Sequence, residues 1–332
     1  AGDSVALLAI ARSLNMWESW ETNEKMDNWD NVVLWEEGMD GYTPEKAGRV
    51  KFARFSTFGT KEGLPFEVQY LTAADELVFF SNTNWTTFDL STGEYITKLG
   101  QLRRLTISGY GLVDLDPDFK NLKNLESLDI SVNNFEKIPE VLTKENFPKL
   151  HALYLNTCQR GVIYDLSNTT TTHFGGLFEE TDQTREFPRR LLEWDNLDTL
   201  TLSVNYLQGR IPDMKDYARK YTQADISAAD SPPRATPGPP GSLPQALVGT
   251  PKVLPNIKRF SINLNRLTGE LPEWLLHHPA LDWMDPFTLV FTQEGKDQDG
   301  KLAGFTNEPV NLDEYYRFYE GKKYLDPNKK EE

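Results

Sequence analysis

Residues 277–285 contain the side-chain types that bind metal ions in proteins. His277 and His278 stand close in sequence to Asp282 and Asp285, and nitrogen and oxygen ligands of these kinds are accepted by zinc. Adjacent histidine side chains diverge unless a loop turns them, and no established zinc spacing such as His-x-x-x-His is present. The pattern therefore predicts no zinc site.

A second candidate metal site is Asp297-x-Asp299-Gly300, which resembles a fragment of a calcium-binding loop. A complete loop needs a closing bidentate glutamate at a fixed spacing, and that glutamate is missing. An Asp-Gly pair is also the typical dipeptide of a tight hairpin turn. We therefore predict a charged hairpin here, with calcium bound by Asp297 and Asp299 as the alternative. We predict no other metal and no cofactor.

Sequence signatures of catalysis are largely missing. The chain has no Gly-x-Ser-x-Gly turn and no Gly-x-x-x-x-Gly-Lys-Ser/Thr phosphate loop, and its single cysteine, Cys158, has no histidine in a recognisable local context. Paired carboxylates of the kind that hydrolyse sugars could be drawn from Glu179, Glu180 and Asp195. Acidic residues are so common here that such a pairing is uninformative. We predict that the protein is not an enzyme.

The composition argues against two classes of protein. Lys and Arg number 35 against 50 Asp and Glu, a formal net charge of −15, whereas a nucleic-acid binder needs clustered basic residues to neutralise phosphates. The longest uninterrupted apolar run, residues 5–11, is far shorter than the roughly 20 residues that span a bilayer. We therefore expect no nucleic-acid partner and no transmembrane segment.

A repeated motif, Leu-x-x-Leu-x-Leu-x-x-Asn-x-Leu, runs through the middle of the chain. Three copies fit it closely and end at Phe135, Leu207 and Leu267, with looser copies before and between them. The second apolar position of successive copies is occupied by Ala53, Leu77, Leu105, Leu128, Leu153, Leu200 and Phe260. The first four spacings, 24, 28, 23 and 25 residues, are typical of leucine-rich repeats, and the last two, 47 and 60, require insertions.

The motif has a direct physical meaning. In Leu-x-Leu both apolar side chains point to the same side of a short strand, towards a core that stacked coils share. The Asn at the following turn, or Cys158 in one copy, can bond backbone groups that the bend leaves unpaired. We therefore predict an α/β repeat fold, a right-handed leucine-rich-repeat solenoid. Its parallel sheet would lie on the concave side and irregular or 3₁₀ segments on the convex side.

The repeats that end in Ile211-Pro212 and Leu271-Pro272, with Leu-x-Gly-x-Ile/Leu-Pro, resemble the plant-type class of leucine-rich repeats. The start of the chain is similar to the amino-terminal cap of that class, but it has no paired cysteines. Asp3 is expected to cap a helix there, and tryptophans are expected to fill the core instead of a disulfide: Trp17, Trp20, Trp29 and Trp35. Residues 278–316 resemble the tail of secreted leucine-rich-repeat proteins, often lipoproteins, of gut Gram-negative anaerobic bacteria.

These patterns predict a helical, Trp-rich amino-terminal cap at residues 1–48, repeats at 49–275 and a carboxy-terminal cap at 276–332. The last would contain a hairpin and a short helix. Insertions interrupt the repeats at 161–187 and at 213–254. The first is predicted to be a long loop, with a loop that contains one degenerate repeat as the alternative. The second begins with helix-like spacing and continues into a proline-rich run. The resemblance to secreted lipoproteins implies an extracellular or cell-surface location, with a lipid anchor on a residue upstream of this chain.

The concave face of the predicted sheet is the candidate binding site, because parallel strands arrange their side chains in registered rows. The rows combine arginine and aromatic side chains, which often anchor protein interfaces, with polar side chains: Arg54, Phe80, Arg104, Asp129, Tyr154, Asn156, Arg259 and Asn263. Serine and threonine fill many of the other positions. That composition would also suit a strand that is merely exposed to solvent.

The predicted function is therefore ligand recognition without catalysis. The expected ligand is a protein, bound through the concave face at a bacterial cell surface. A glycan is the alternative ligand. The rival hypotheses are a polysaccharide-degrading enzyme with its site in an insertion and a structural spacer that holds another domain. We expect a monomer, and the net negative charge favours a basic or neutral partner.

Overall fold

The computed structural model forms two compact units, Ala1–Asp182 and Gln183–Glu332. None of the helices in the described part of the chain is long and apolar enough to cross a membrane. The structure describes residues 2–16, 20, 24–57, 64–81, 93–110, 112, 114–133, 135, 137–158, 162–164, 171–173, 186–225, 247–276, 278, 293, 295 and 300–306.

The amino-terminal unit begins with a helix, α1 (Gly2–Ser13), whose buried residues include Leu7 and Ile10. The prediction that Asp3 caps this helix is wrong, because the helix starts at Gly2 and places Asp3 inside its first turn. The buried Asp3 carboxylate instead accepts hydrogen bonds from the Arg49 guanidinium at 2.8 and 2.9 Å and from the Val50 N–H at 2.8 Å. This ion pair ties α1 to the first strand of the repeats.

Tryptophans fill the core beside α1, as expected for a cap without a disulfide. The rings of Trp20 and Trp29 stack with their centroids 5.2 Å apart, and Trp20 packs edge-on against Phe55. Trp35 is buried, and its Nε1 donates a hydrogen bond to the Ala73 carbonyl at 2.8 Å. Aromatic burial therefore joins the cap to the first repeats, while Trp17 lies outside the described residues.

A mainly parallel sheet forms in the amino-terminal unit. Its first strand, β1 (Val32–Leu34), pairs antiparallel with β2 and covers the edge of that strand. The remaining strands run parallel: β2 (Val50–Thr57), β3 (Glu76–Ser81), β4 (Arg104–Ser108), β5 (Ser127–Asp129) and β6 (Ala152–Tyr154). The register aligns five buried residues in single file, which confirms the repeat alignment in this unit: Ala53, Leu77, Leu105, Leu128 and Leu153.

Short helical segments connect these strands. The 3₁₀ segments Phe66–Tyr70 and Pro117–Asn121 each bury one side chain, and α2 (Gly93–Ile96) precedes β4. No single coil can bury its own apolar face, so the leucines of neighbouring coils form one shared core. The parallel sheet, the connecting 3₁₀ segments and the shared core together constitute the leucine-rich-repeat solenoid fold.

The asparagine of the repeat motif is buried at the turn after the strand and bonds a neighbouring coil. The side-chain oxygen of Asn133 accepts hydrogen bonds from the N–H groups of Tyr110 and Leu112, both at 3.2 Å, and its Nδ2 donates to the Ile107 carbonyl at 2.9 Å. One coil later the thiol of Cys158 occupies the same place. It bonds a backbone carbonyl, and burial raises its pKa well above the ordinary value.

The residue before this asparagine has a left-handed backbone conformation. Val132 has a φ of 61°, and Gly109 holds the equivalent position one coil earlier with a φ of 82°. The Gly109 N–H donates to the Val132 carbonyl, and the Val132 N–H donates to the Asn156 carbonyl. The turns of successive coils are therefore linked. The sequence did not indicate this conformation, because β-branched residues rarely adopt positive φ.

The carboxy-terminal unit is built from coils of the same kind. Helix α3 (Arg189–Leu192) precedes strand β9 (Thr199–Thr201), which pairs in parallel with β11 (Arg259–Ser261) and sets Leu200 opposite Phe260. A second parallel sheet follows these strands. The members of this part are β10 (Gln208–Gly209), β12 (Arg266–Gly269), β13 (Gly304–Phe305) and α4 (Glu273–Leu276). In the chain, α4 lies between the strands β12 and β13.

Gln293 repeats the bonding of the buried asparagines one coil further along. Asn265 accepts hydrogen bonds from the N–H groups of Asn205 and Leu207, and Gln293 in turn accepts one from the Leu267 N–H at 3.1 Å. The sequence motif did not identify this position because glutamine replaces asparagine. The boundary at residue 275 stays a prediction. The predicted hairpin turn with Asp297 and Asp299, and the terminal helix, lie outside the described residues.

Both predicted insertions contain structure that the sequence did not indicate. Strands β7 (Val162–Tyr164) and β8 (Thr171–His173) pair antiparallel within the first, where the sequence predicts a long loop. The helix-like spacing in the second does not form a helix, since residues 214–221 form turns and isolated bridges. The Lys252 ammonium and the N–H of Thr222 hold the carboxylate of Asp225 and lower its pKa from 3.8 to about 2.

The buried asparagine predicts a large cost for a small substitution. Asn133→Ala would leave two N–H groups and a carbonyl of the preceding coil unpaired inside the protein, and we expect a loss of about 3 kcal/mol in the free energy of unfolding. Urea denaturation followed by tryptophan fluorescence measures this loss. The matched control is Asn121→Ala, an exposed asparagine that should change stability by less than about 0.5 kcal/mol. Equal effects of the two substitutions would contradict the assignment.

Candidate functional site

The strand register arranges the exposed side chains of the amino-terminal sheet in rows. One row, here called the central row, contains the residue that follows each buried file member: Arg54, Val78, Thr106, Asp129 and Tyr154. Successive side chains of a strand point to opposite faces, so these residues face away from the core. Three of the predicted binding residues, Arg54, Asp129 and Tyr154, thus lie on one line across β2–β6.

The other predicted residues of this unit flank the central row. Arg104 lies two residues before Thr106 on β4, and Phe80 lies two residues after Val78 on β3. Asn156 follows β6, and its N–H donates a hydrogen bond to the Ser131 hydroxyl at 3.1 Å. The flanking residues therefore differ from one another in their position along the strands and in their contacts.

Arg54 is exposed and stacks on an aromatic ring. Its guanidinium carbon lies 5.4 Å from the ring centroid of Phe80. Among the described residues, no carboxylate lies within ion-pair distance of Arg54. This cation–π contact uses none of the N–H donors of the guanidinium as hydrogen bonds. The arrangement can therefore hold a carboxylate or another planar acceptor of a ligand.

Arg104 differs from Arg54, because its charge is already neutralised within the protein. Its Nε donates a hydrogen bond to the Glu76 carboxylate at 2.9 Å, and its Nη2 donates one to the Asp75 carboxylate at 3.1 Å. Two carboxylates therefore fix the position of this side chain. A ligand would have to compete with both of them for the guanidinium.

Asp75 is the centre of an ion-pair network at the start of the strands. Its buried carboxylate lies 3.6 Å from the Lys51 ammonium and 3.7 Å from the Arg103 guanidinium, and Arg103 bonds Glu126 at 3.0 Å on the next coil. The hydrogen bonds that Arg103 donates to the Glu126 carboxylate raise the pKa of Arg103. The signs alternate on consecutive coils at Lys51, Asp75, Arg103 and Glu126. The network was not predicted from the sequence, although the alternation of sign at the repeat spacing is a detectable signal.

Asp129 carries the other uncompensated charge of the central row. One of its oxygens accepts a hydrogen bond from the Ser131 N–H at 2.9 Å, and the side chain is half-buried between Thr106 and Tyr154 in the row. Within the described part of the chain, no lysine or arginine forms an ion pair with it. A carboxylate has lone pairs beyond this single bond. Asp129 can therefore accept further hydrogen bonds from a cationic group.

The carboxy-terminal unit places its two predicted residues differently. Arg259 is exposed, while the side-chain oxygen of Asn263 accepts hydrogen bonds from the hydroxyls of Ser261 and Ser203. Thr201 is 1% exposed, although the repeat pattern predicts that it faces solvent. Strands β9 and β11 are paired in register, but Thr201 presents no exposed surface to a ligand.

The residues named from the sequence for catalysis or metal binding are paired or buried where the structure describes them. No group of three or more His, Cys, Asp and Glu among the described residues could hold a metal. Asp195 is paired with Arg219, and His278 is buried with its Nε2 bonded to the carbonyl of Val253 at 2.9 Å. The other carboxylates and the histidine named from the sequence lie outside the described residues: Glu179, Glu180, His277, Asp282 and Asp285.

The same isosteric change, Asp to Asn, is expected to lower the free energy of unfolding much more at Asp75 than at Asp129. Asp75→Asn removes the partner of three cations, and we expect a loss of about 2 kcal/mol in the free energy of unfolding, reduced from the fully buried case because those cations are partly exposed. Asp129→Asn keeps an acceptor for the Ser131 N–H and should cost less than about 0.5 kcal/mol. Urea denaturation at low and high salt measures both. A similar loss for both variants would refute this division of the charges.

No protein-family model and no curated protein sequence matches the chain, but several solved structures resemble it. A plant ice-binding protein is 17% identical over 89% of this chain and 86% of its own, with a TM-score of 0.44. The receptor kinase HAESA of Arabidopsis, in complex with the peptide hormone IDA and a co-receptor, is 17% identical over 89% of this chain and 41% of its own, with a TM-score of 0.42. A leucine-rich-repeat protein of Leptospira interrogans is 17% identical over 78% and 56%, with a TM-score of 0.37. The leucine-rich-repeat architecture of the present chain follows from its registered coils.

Proposed function

We propose that this protein is a non-catalytic recognition module that binds a protein ligand through the exposed face of its amino-terminal sheet. The observation that carries the proposal is the registered central row, which aligns an arginine, an aspartate and a tyrosine across five parallel strands. At about 4.8 Å per strand the row is roughly 19 Å long. That length suits an extended peptide segment or the edge of a folded partner.

The rigidity of the row supports binding. Strands β2 to β5 are each paired with a neighbouring strand on both sides, and β6 is paired with β5. Because the backbone is already ordered, binding does not incur the entropy cost of ordering a loop. Arginine and tyrosine are also the residue types that contribute most to protein interfaces.

The packing of Phe80 favours a protein over a glycan as the ligand. A sugar ring binds an aromatic side chain by stacking on its face, and here the guanidinium of Arg54 already lies over that ring. The two charged groups of the central row, Arg54 and Asp129, instead suit the side chains of a polypeptide. The experiment with the Thr106→Trp variant also distinguishes the two alternatives, a glycan ligand and a polysaccharide-degrading enzyme.

The location of the protein is a separate part of the proposal. We infer a bacterial cell surface, with a lipid anchor upstream of this chain, from the sequence resemblance to secreted lipoproteins of gut Gram-negative anaerobes. A monomer is the proposed oligomeric state. The residue-level argument for binding at the central row depends on neither inference.

A bulky substitution in the middle of the row tests the binding face. Thr106 is half-buried on the exposed face of β4, so Thr106→Trp should cover the row without entering the core. Against a panel of purified extracellular proteins and a glycan array, we expect this variant to lose at least about tenfold in affinity for the ligand of the unmodified protein. The matched control is Lys120→Trp, which adds the same side chain at an exposed position of a connecting 3₁₀ segment.

Two results would count against the proposal. Equal binding by the Thr106→Trp variant and the unmodified protein would move the site away from the central row. Formation of shortened glycan products, detected by mass spectrometry and lost after substitution of one carboxylate, would establish an enzyme instead. Circular dichroism of both tryptophan variants confirms that any loss of binding is not a loss of fold.

A further inference from the structure

We propose that the ligand of the central row is an extended peptide segment that carries one acidic and one basic side chain four residues apart, the acidic one at Arg54 and the basic one at Asp129. The proposal rests on the proposed function and specifies the chemistry of its ligand. It comes from a contrast between two sets of charges on the same sheet.

The first set of charges is compensated within the protein. The ionised side chains at the start of the strands are joined into one network around the buried Asp75, with every distance at or below 3.7 Å: Lys51, Asp75, Glu76, Arg103, Arg104 and Glu126. Each of them has at least one partner of opposite sign. This set stabilises the stacking of coils and has little charge left to offer to a ligand.

The second set consists of the two ionised residues of the central row. Arg54 contacts the Phe80 ring, and Asp129 bonds the Ser131 N–H, but neither has a partner of opposite charge among the residues that the structure describes. They are the positions of the row where a counter-charge is missing. A ligand that covered them without supplying one would leave both charges desolvated, at a substantial cost.

The spacing of the two charges defines the ligand. Arg54 is on β2 and Asp129 on β5, three strand steps apart, and three steps of about 4.8 Å give roughly 14 Å. An extended peptide advances about 3.4 Å per residue, so its residues i and i+4 are also roughly 14 Å apart. Alternate side chains of an extended chain share one face, so the i and i+4 side chains both point towards the sheet.

The residues between the two charges fit the same ligand. Val78 and Thr106 lie between Arg54 and Asp129 in the row, are uncharged and are half-buried. The peptide side chain at i+2 would lie above them, where a small or apolar residue would pack without an unpaired charge. The row therefore selects for a charge pattern and not for net charge alone, in a chain whose overall charge is −15.

Selection from a random peptide library tests this charge pattern. A displayed library of random 12-residue peptides is selected on the purified full chain, and the retained peptides are scored for acidic and basic residues at every spacing. We expect enrichment of the pair at a separation of four over separations of three, five and six. Binding of an enriched peptide is then measured by fluorescence anisotropy against Arg54→Gln and Asp129→Asn, with Lys120→Gln as the charge-removing control on an exposed surface.

Each substitution should remove the preference for one peptide charge only. We expect Arg54→Gln to weaken binding of the enriched peptide at least about tenfold. It should not change the affinity of the same peptide with its acidic residue made neutral. Asp129→Asn should behave in the same way towards the basic residue. Lys120→Gln should change affinity less than twofold.

The outcomes separate this inference from the proposed function. If Thr106→Trp abolishes binding of the retained peptides but these show no charged pair at separation four, the inference is overturned. Binding at the central row would then still stand. Retention unaffected by Thr106→Trp would overturn both. No retained peptide at all would overturn the inference and leave the edge of a folded protein as the ligand of the central row. Equal losses of peptide affinity in the Lys120→Gln and Arg54→Gln variants would mean that the effect comes from the overall charge of the protein. This result would also overturn the inference.

Discussion

The turn of each coil depends on a hydrogen bond supplied by the next one. Asn133 bonds two N–H groups of the preceding coil, Asn265 does the same for the coil that contains Asn205, and Gln293 continues the pattern. A buried N–H without an acceptor is costly, so no coil can hold its bend alone. The registered rows on the exposed face are a consequence, because coils that share these bonds must stack at one level.

The same stacking explains why the charges of the exposed face fall into two sets. Residues at the start of the strands lie beside their equivalents on adjacent coils, and alternating signs there allow Asp75 to bond cations from both sides. One row further along, Arg54 and Asp129 are three coils apart and cannot reach each other. Their separation is therefore a feature of the stacking, and it leaves the central row with charge at two points.

The sequence predicted the stacked coils well because the periodic leucines and asparagines reflect the forces that hold them. The register, the buried file and the role of Cys158 followed from that pattern. The roles of individual polar residues did not. Asp3 bonds Arg49 from 46 residues away, and Arg104 is held by Glu76 and Asp75, because such contacts depend on which coils become neighbours and not on local spacing. The β7–β8 pair and Gln293 were missed because neither follows the motif.

The burial of the only thiol affects where such a chain can operate. Cys158 lies in the interior with a raised pKa, so almost none of it is present as the reactive thiolate at neutral pH. Buried in this way, Cys158 cannot cross-link the chain to a second copy, and the 332 residues hold no second cysteine with which it could form a disulfide. Passage from a reducing to an oxidising compartment would therefore leave the coils around Cys158 unchanged.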